Sequence, residues 1–165
     1  MDDLNSISYN LNNINLQDDS YNGLGLIFGF QADDNITGEY LNLNSAGWSW
    51  PDMLGGGYHF MKLEGKFISA NSDTISYAYH MGTAREITMS DTTFHDNHIF
   101  IKIDTIFDLT NSATINLKVN LEEWLKNPNT WDFNQYSQML MSNYDAQIMM
   151  RENGSTIISW GSITQ

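Results

Sequence analysis

The chain has no cysteine among its 165 residues. That absence removes disulfides, thiolate metal sites and cysteine nucleophiles together, and leaves the redox compartment open. Basic residues are also scarce: seven Lys and Arg stand against twenty Asp and Glu, a formal net charge of −13. Without clustered Lys or Arg there is little to neutralise phosphates, so neither nucleic acid nor an anionic membrane surface is an expected partner. Cations and cationic partners are instead drawn by the field of the whole molecule. No apolar run approaches the ~20 residues of a membrane-spanning helix, so membrane insertion is not expected. The opening MDDLNSISYN has no basic and no apolar stretch, so no signal peptide is expected within this sequence. Catalytic signatures are missing as well: there is no G-x-S-x-G elbow, P-loop, dinucleotide fingerprint or H-E-x-x-H. What is abundant is asparagine, with 19 residues, alongside Ser, Thr, Asp and Gly. Such a turn-rich composition suits β-proteins better than helical bundles.

One domain is expected over residues 1–165, with 41% hydrophobic residues to build its core. Residues 5–16 alternate with period two and predict a half-buried strand with a bulge near Asn12 and Asn13. Residues 24–30 (LGLIFGF) form a continuous apolar run, the pattern of a strand buried on both faces. A polar loop over 31–45 follows, in which Asp33, Asp34, Asn35 and Glu39 offer oxygen ligands to calcium without the spacing of an EF-hand. Strands are predicted over 58–67 and 74–81, joined by a turn at 71–73, and again over 97–106 and 114–119. In the third of these Ile99, Ile101 and Ile103 share a face. Asn120 and Glu123 stand where a capping box starts a helix, which Pro128 then stops. From 132 to 153 a stripe of Tyr136, Leu140, Tyr144 and Ile148 predicts a second helix, with Gly154 at its capping position and a last strand over 156–160. The sum is a mainly β fold, a β-sandwich of immunoglobulin-like or Greek-key type with one or two short accessory helices toward the C-terminus.

Two stretches carry chemistry: WSWPDMLGGGYHFMKLEG (48–65) and YAYHMGTARE (77–86). Alternation puts His59 on one face with Met61 and Leu63, and His80 on one face with Ala78 and Ser76. If the two strands pair antiparallel, His59 and His80 converge in those registers that set them on one face, and the register is not decidable from sequence. Imidazole, thioether and indole together suit a soft metal, copper first. The competing reading is an aromatic-rich strand pair with half-exposed histidines. His95 and His98, spaced H-x-x-H, form a second pair that would hold a divalent metal only at the surface. Met139, Met141, Met149 and Met150 scatter around the predicted C-terminal helix, a spacing that favours core packing. Trp48 and Trp50 precede Pro51 in an extended segment and are apolar anchors first. Gly55, Gly56 and Gly57 are followed by no helix start, so they serve a sharp bend rather than a phosphate cradle. Twenty carboxylates leave an acidic glycan hydrolase, built on Glu64 or Asp52, as a reading that no motif supports.

The block G-W-S-W-P-D-M-L-G-G-G-Y-H-F-M-K-L-E-G, followed a dozen residues later by Y-H-M-G, resembles the core signature of the MbnP-like copper-binding domain. The stretches LGLIFGFQADDNITG, NHIFIKIDTIFDL, VNLEEWLKNP and NGSTIIS follow the course of that family, so the resemblance spans roughly residues 20–160. It implies a secreted or periplasmic bacterial β-sandwich that binds copper, as Cu(I), for handling or storage and not for catalysis. His80 takes the place of the H-x-G histidine, and Trp48 and Trp50 that of the W-x-W pair. His59 falls at the variable position of G-Y-x-F. In some relatives a tryptophan oxidised to kynurenine joins the histidines. The implied partners are the metal ion and a redox or copper-delivery protein. Members begin with a further strand that can carry a histidine, whereas here none precedes His59, so the expectation is one of three: that ligand is lost, binding is weak, or the chain is truncated at its N-terminus. The acidic, Asn-rich surface supports an alternative from another class: a non-metal β-sandwich interaction or structural module of a cell surface or extracellular assembly, which would self-associate.

Overall fold

The computed structural model describes residues 17–110 and 113–164. The strand expected over 5–16 lies outside the described residues. The fold is mainly β and sandwich-like, built from small antiparallel pairs. In chain order the strands are β1 (Asp19–Tyr21), β2 (Leu24–Phe28), β3 (Met61–Ile68), β4 (Thr74–Met81), β5 (Ala84–Ile87), β6 (Thr92–His95), β7 (Ile99–Ile103), β8 (Phe107–Leu109), β9 (Thr114–Val119) and β10 (Ile158–Thr164). Neighbours in sequence pair in two of the ladders, β3 with β4 and β5 with β6, whereas β9 meets β10 only after a long excursion. The remaining two are nested: β1 pairs with β8 and β2 with β7, so residues 19–28 run back along 99–109.

The core is set by alternation. Ile99, Ile101 and Ile103 of β7 point inward while Phe100 stays exposed, as their spacing predicts. They meet Tyr79 and Met81 of β4, Met61 of β3, and the large anchors Trp124, Trp131, Leu140 and Met150. The expectation of a two-faced burial for residues 24–30 is corrected: β2 ends at Phe28 and alternates, with Gly25 and Ile27 exposed. Its inner residues Leu24, Leu26 and Phe28 pack on the core, and on its outer face the Phe100 ring is laid against Gly25. β9 has the predicted bounds, whereas β10 starts at Ile158 and runs on to Thr164 past a register shift at Gly161.

Helices are shorter than the periodicity suggested. The polar loop over 31–45 closes with a one-turn helix, α1 (Leu41–Ser45). Asn120 does cap the next segment, its side-chain oxygen accepting from the Glu122 N–H at 3.2 Å, but that segment is a 3-10 turn over Leu121–Leu125. The Asn120 N–H bonds to the Ile157 carbonyl, so the reciprocal half of the capping box is not made. The helix expected over 132–153 is α2 (Tyr144–Gly154), because Asn143 caps it there through the Ala146 N–H (3.1 Å). Of the four methionines expected there, Met150 is fully buried and Met149 packs against the core, while Met139 precedes the helix and is exposed.

Candidate metal centre

The site is built around a narrow antiparallel contact that precedes β3. Ser49 bridges Tyr58, the Trp50 N–H donates to the Gly57 carbonyl (2.8 Å), and the His59 N–H donates to the Trp48 carbonyl (2.8 Å). Between the two arms the chain makes a 3-10 turn over Asp52–Leu54 and then reverses through Gly55, Gly56 and Gly57, whose φ values of 109°, 67° and 81° are left-handed. Three consecutive residues in that region explain the three glycines. The reversal is pinned by Asn35, whose carboxamide oxygen accepts from the Tyr58 N–H (2.9 Å) and whose amide donates to Thr83 Oγ1 (3.3 Å). Asn35 thereby serves the fold through both ends of its carboxamide. Asp33 and Asp34 line a surface hollow with Asp96 instead.

A bend at Phe60 decides which side chains meet. The strand expected from residue 58 begins only at Met61, so alternation does not carry through from His59. Met61 turns into the core with Tyr79 and Met81. The His59 ring instead meets the His80 ring, with centroids 5.2 Å apart and planes at 81°. β3 and β4 are antiparallel with Lys62 opposite His80 and Glu64 opposite Ala78, so Lys62, Glu64 and His80 share the outer face. Trp50 completes the group: its centroid is 4.8 Å from that of His59, and its buried ring lies flat on Gly82, two residues beyond His80. Trp48 stands at the rim, 6.5 Å from His59, with the Lys62 ammonium 5.3 Å from its ring centroid and bonded to the Gly47 carbonyl at 2.5 Å.

Hydrogen bonds orient both imidazoles. His59 Nδ1 donates to the Trp48 carbonyl at 3.0 Å, since a carbonyl can only accept, and in the neutral ring this leaves Nε2 as the free lone pair. His80 Nε2 donates to the Glu64 carboxylate at 2.6 Å, leaving Nδ1. Such outer oxygens are what fix the tautomer and raise the basicity of metal-ligating histidines. Burial pushes the His59 imidazole down from 6.5 to about 4, with Lys62 and His80 adding repulsion against the raising effect of the Trp48 carbonyl. The ring is therefore neutral at neutral pH, and a metal need displace no proton from it.

That depressed value predicts a pH dependence for the metal-free protein. Between pH 6.5 and about 4 the unfolded chain holds a proton on this ring that the folded chain refuses. The contribution is complete above 6.5 and is lost as pH falls through about 4, a difference of roughly 3 kcal/mol. Urea unfolding at a series of pH values should show this loss in the parent and a shallower slope in His59→Gln. Equal slopes would disprove the burial of a neutral His59.

The other expected pair is not brought together as a site. His95 Nε2 bonds to Glu86 (2.8 Å) across β5 and β6, while His98 Nδ1 bonds to Asp96 (2.7 Å). Among the described residues no group of three or more His, Cys, Asp and Glu is arranged to hold a metal ion. Lys62 is a site residue that sequence reasoning missed, and Glu64 one that it named only for a hydrolase and not as a partner of His80. Both follow from the β3–β4 register, which nothing but the short turn between the strands announces.

A family model described as MbnP matches residues 2–148 of the chain. Neither the curated proteins nor the solved structures contain a match to it.

Proposed function

The chain belongs to the MbnP family, and from that premise we propose that it is an extracytoplasmic Cu(I)-binding protein that carries or stores the ion and catalyses no reaction. The observation that carries this reading is the His59–His80 pair: two imidazoles in contact, each spending one ring nitrogen on an oxygen and keeping the other. A donor set of two imidazoles beside indoles is too sparse for the four ligands of a structural zinc site. It suits a d10 monocation that accepts low coordination numbers and soft neighbours. His59 and His80 would hold the ion, Glu64 and the Trp48 carbonyl would orient them, and Trp50 would shield them from water. Trp48 and Trp50 are the residues whose oxidation to kynurenine would add a further donor, and Trp48 is the more accessible of the two. Met61 has no place in this set, since it packs in the core.

The test is an anaerobic Cu(I) titration against a strong chromogenic chelator, with intact mass recorded on the same sample. A single competing equivalent is expected, and a mass change at Trp48 or Trp50 equal to one oxygen gained and one carbon lost would mark conversion of that indole to kynurenine. Absence of competition at every ratio would overturn the reading. Lys62 gives a second, directional check. Its ammonium sits over Trp48 beside the pair, where a positive charge opposes an incoming cation. Lys62→Met should therefore tighten Cu(I) binding by up to about tenfold, an effect that added salt shrinks. Weaker binding in that variant would contradict the placement of the ion.

A further inference from the structure

The backbone that presents His80 is held from outside its own ladder. On the edge of β4 away from β3, the Ala78 N–H donates to the Ser137 carbonyl (2.9 Å) and Gln138 Nε2 donates to the Ser76 carbonyl (2.6 Å). Further along the same edge no strand follows among the described residues. The groups there are met by one side chain, Gln147 of α2, which is fully buried. Its Nε2 donates to the His80 carbonyl (2.8 Å) and to the Leu140 carbonyl (3.1 Å), and its Oε1 accepts from the Gly82 N–H (3.2 Å). One carboxamide thus does what a residue of a parallel strand would do, donating to residue 80 and accepting from residue 82. Asn97, equally buried, locks the arrangement by donating to the Gly82 carbonyl (2.8 Å) and to Gln147 Oε1 (3.3 Å).

The segment so fixed, 80–82, carries both halves of the site. His80 is one imidazole, and Gly82 is the platform on which the Trp50 ring lies against His59. A buried carboxamide with both ends satisfied is rigid, because any rotation strands a polar group in a dry interior. We infer that Gln147 is a positioning residue for the metal pair, with α2 setting the His59–His80 separation through the backbone of residues 80–82. Its functional meaning rests on the Cu(I) reading, while its geometry does not.

The experiment compares Gln147→Asn and Gln147→Met with Asn153→Ala. Asn153 is a matched control on the same helix: it is fully buried and its amide donates to the Trp124 and Asn129 carbonyls, remote from the histidines in its bonding. All are measured for melting temperature, for Cu(I) affinity by chelator competition, and for the proton NOE between the His59 and His80 rings without metal. The Gln147 variants should lose about tenfold or more in affinity, the scale of an outer-partner loss, together with the ring-to-ring NOE. Asn153→Ala should lose comparable thermal stability and keep both. Retention of the NOE and of parental affinity in a folded Gln147 variant would overturn the inference, as would an affinity loss in Asn153→Ala proportional to its melting shift. Failure of Gln147→Asn to fold would also overturn it, since the carboxamide would then be a structural necessity and not a positioning device. A parent that binds no Cu(I) would refute the proposed function alone, because the NOE comparison in metal-free protein still decides the role of Gln147.

Discussion

Replacing His80 with alanine should lower Cu(I) affinity by about a thousandfold or more and leave the fold intact. The expectation exceeds the ten- to hundredfold that accompanies loss of an outer hydrogen-bond partner, because a donor itself is removed from a set of two. The structural cost is small by comparison. The ring lies on the outer face of the β3–β4 ladder, and its carboxylate partner Glu64 is largely exposed and returns to solvent. A loss of about 1 kcal/mol is the reasonable scale for such a position. His59→Ala should cost as much affinity and more stability, since His59 is nearly fully buried between Trp50 and His80. Glu64→Ala separates orientation from ligation: it should weaken binding by about ten- to hundredfold, short of the His80 variant. His95→Ala should change nothing at this site, because its ring is committed to Glu86 and Tyr144. Chelator competition beside far-ultraviolet circular dichroism reads all four. Undiminished affinity in folded His80→Ala would remove the site assignment.

Much of this site was legible because it depends on adjacency. Residues 74–81 are a strand with the predicted bounds, and a tight turn makes its partner antiparallel, which is one of the two conditions for His59 and His80 to converge, the other being the bend at Phe60. The three isoleucines of β7 were equally plain, since a clean period of two has one buried face. What sequence could not supply was the break at Phe60. Alternation assumes an unbroken strand, and a single bend moved His59 away from Met61 to the opposite face. The C-terminal helix was overdrawn for a related reason: the apolar stripe continues upstream of Asn143, but Asn143 caps and so starts the helix. Gln147 and Asn153 were invisible to any hydropathy pattern, because buried amides count as surface residues until their partners are known. The apparent two-faced burial of β2 failed because no described element covers its outer side.

The glycine of H-x-G has a steric explanation, and Gly82→Ala supplies the test. A methyl group there would lie 2.5 Å from Trp50 Cδ2 and 2.6 Å from Cε3, inside the indole face. The indole cannot retreat at low cost, being buried with its N–H donated to the Leu54 carbonyl at 3.1 Å. The backbone at Gly82 is not left-handed, so strain of the main chain is not the issue, and overpacking of about 1–3 kcal/mol is. Displaced, the indole would carry His59 with it, and Cu(I) affinity should fall by about tenfold or more. Gly38→Ala is the contrast: its φ of 88° is left-handed and nothing lies within 4 Å, so it should cost about 1–2 kcal/mol with no effect on copper. A double-mutant cycle then separates packing from backbone. Trp50→Leu removes the ring that the added methyl group would strike, so in that background the Gly82→Ala substitution should cost much less than it does alone. Additive losses would mean that Gly82 serves the backbone clamped by Gln147, and that the indole above it is incidental to the motif.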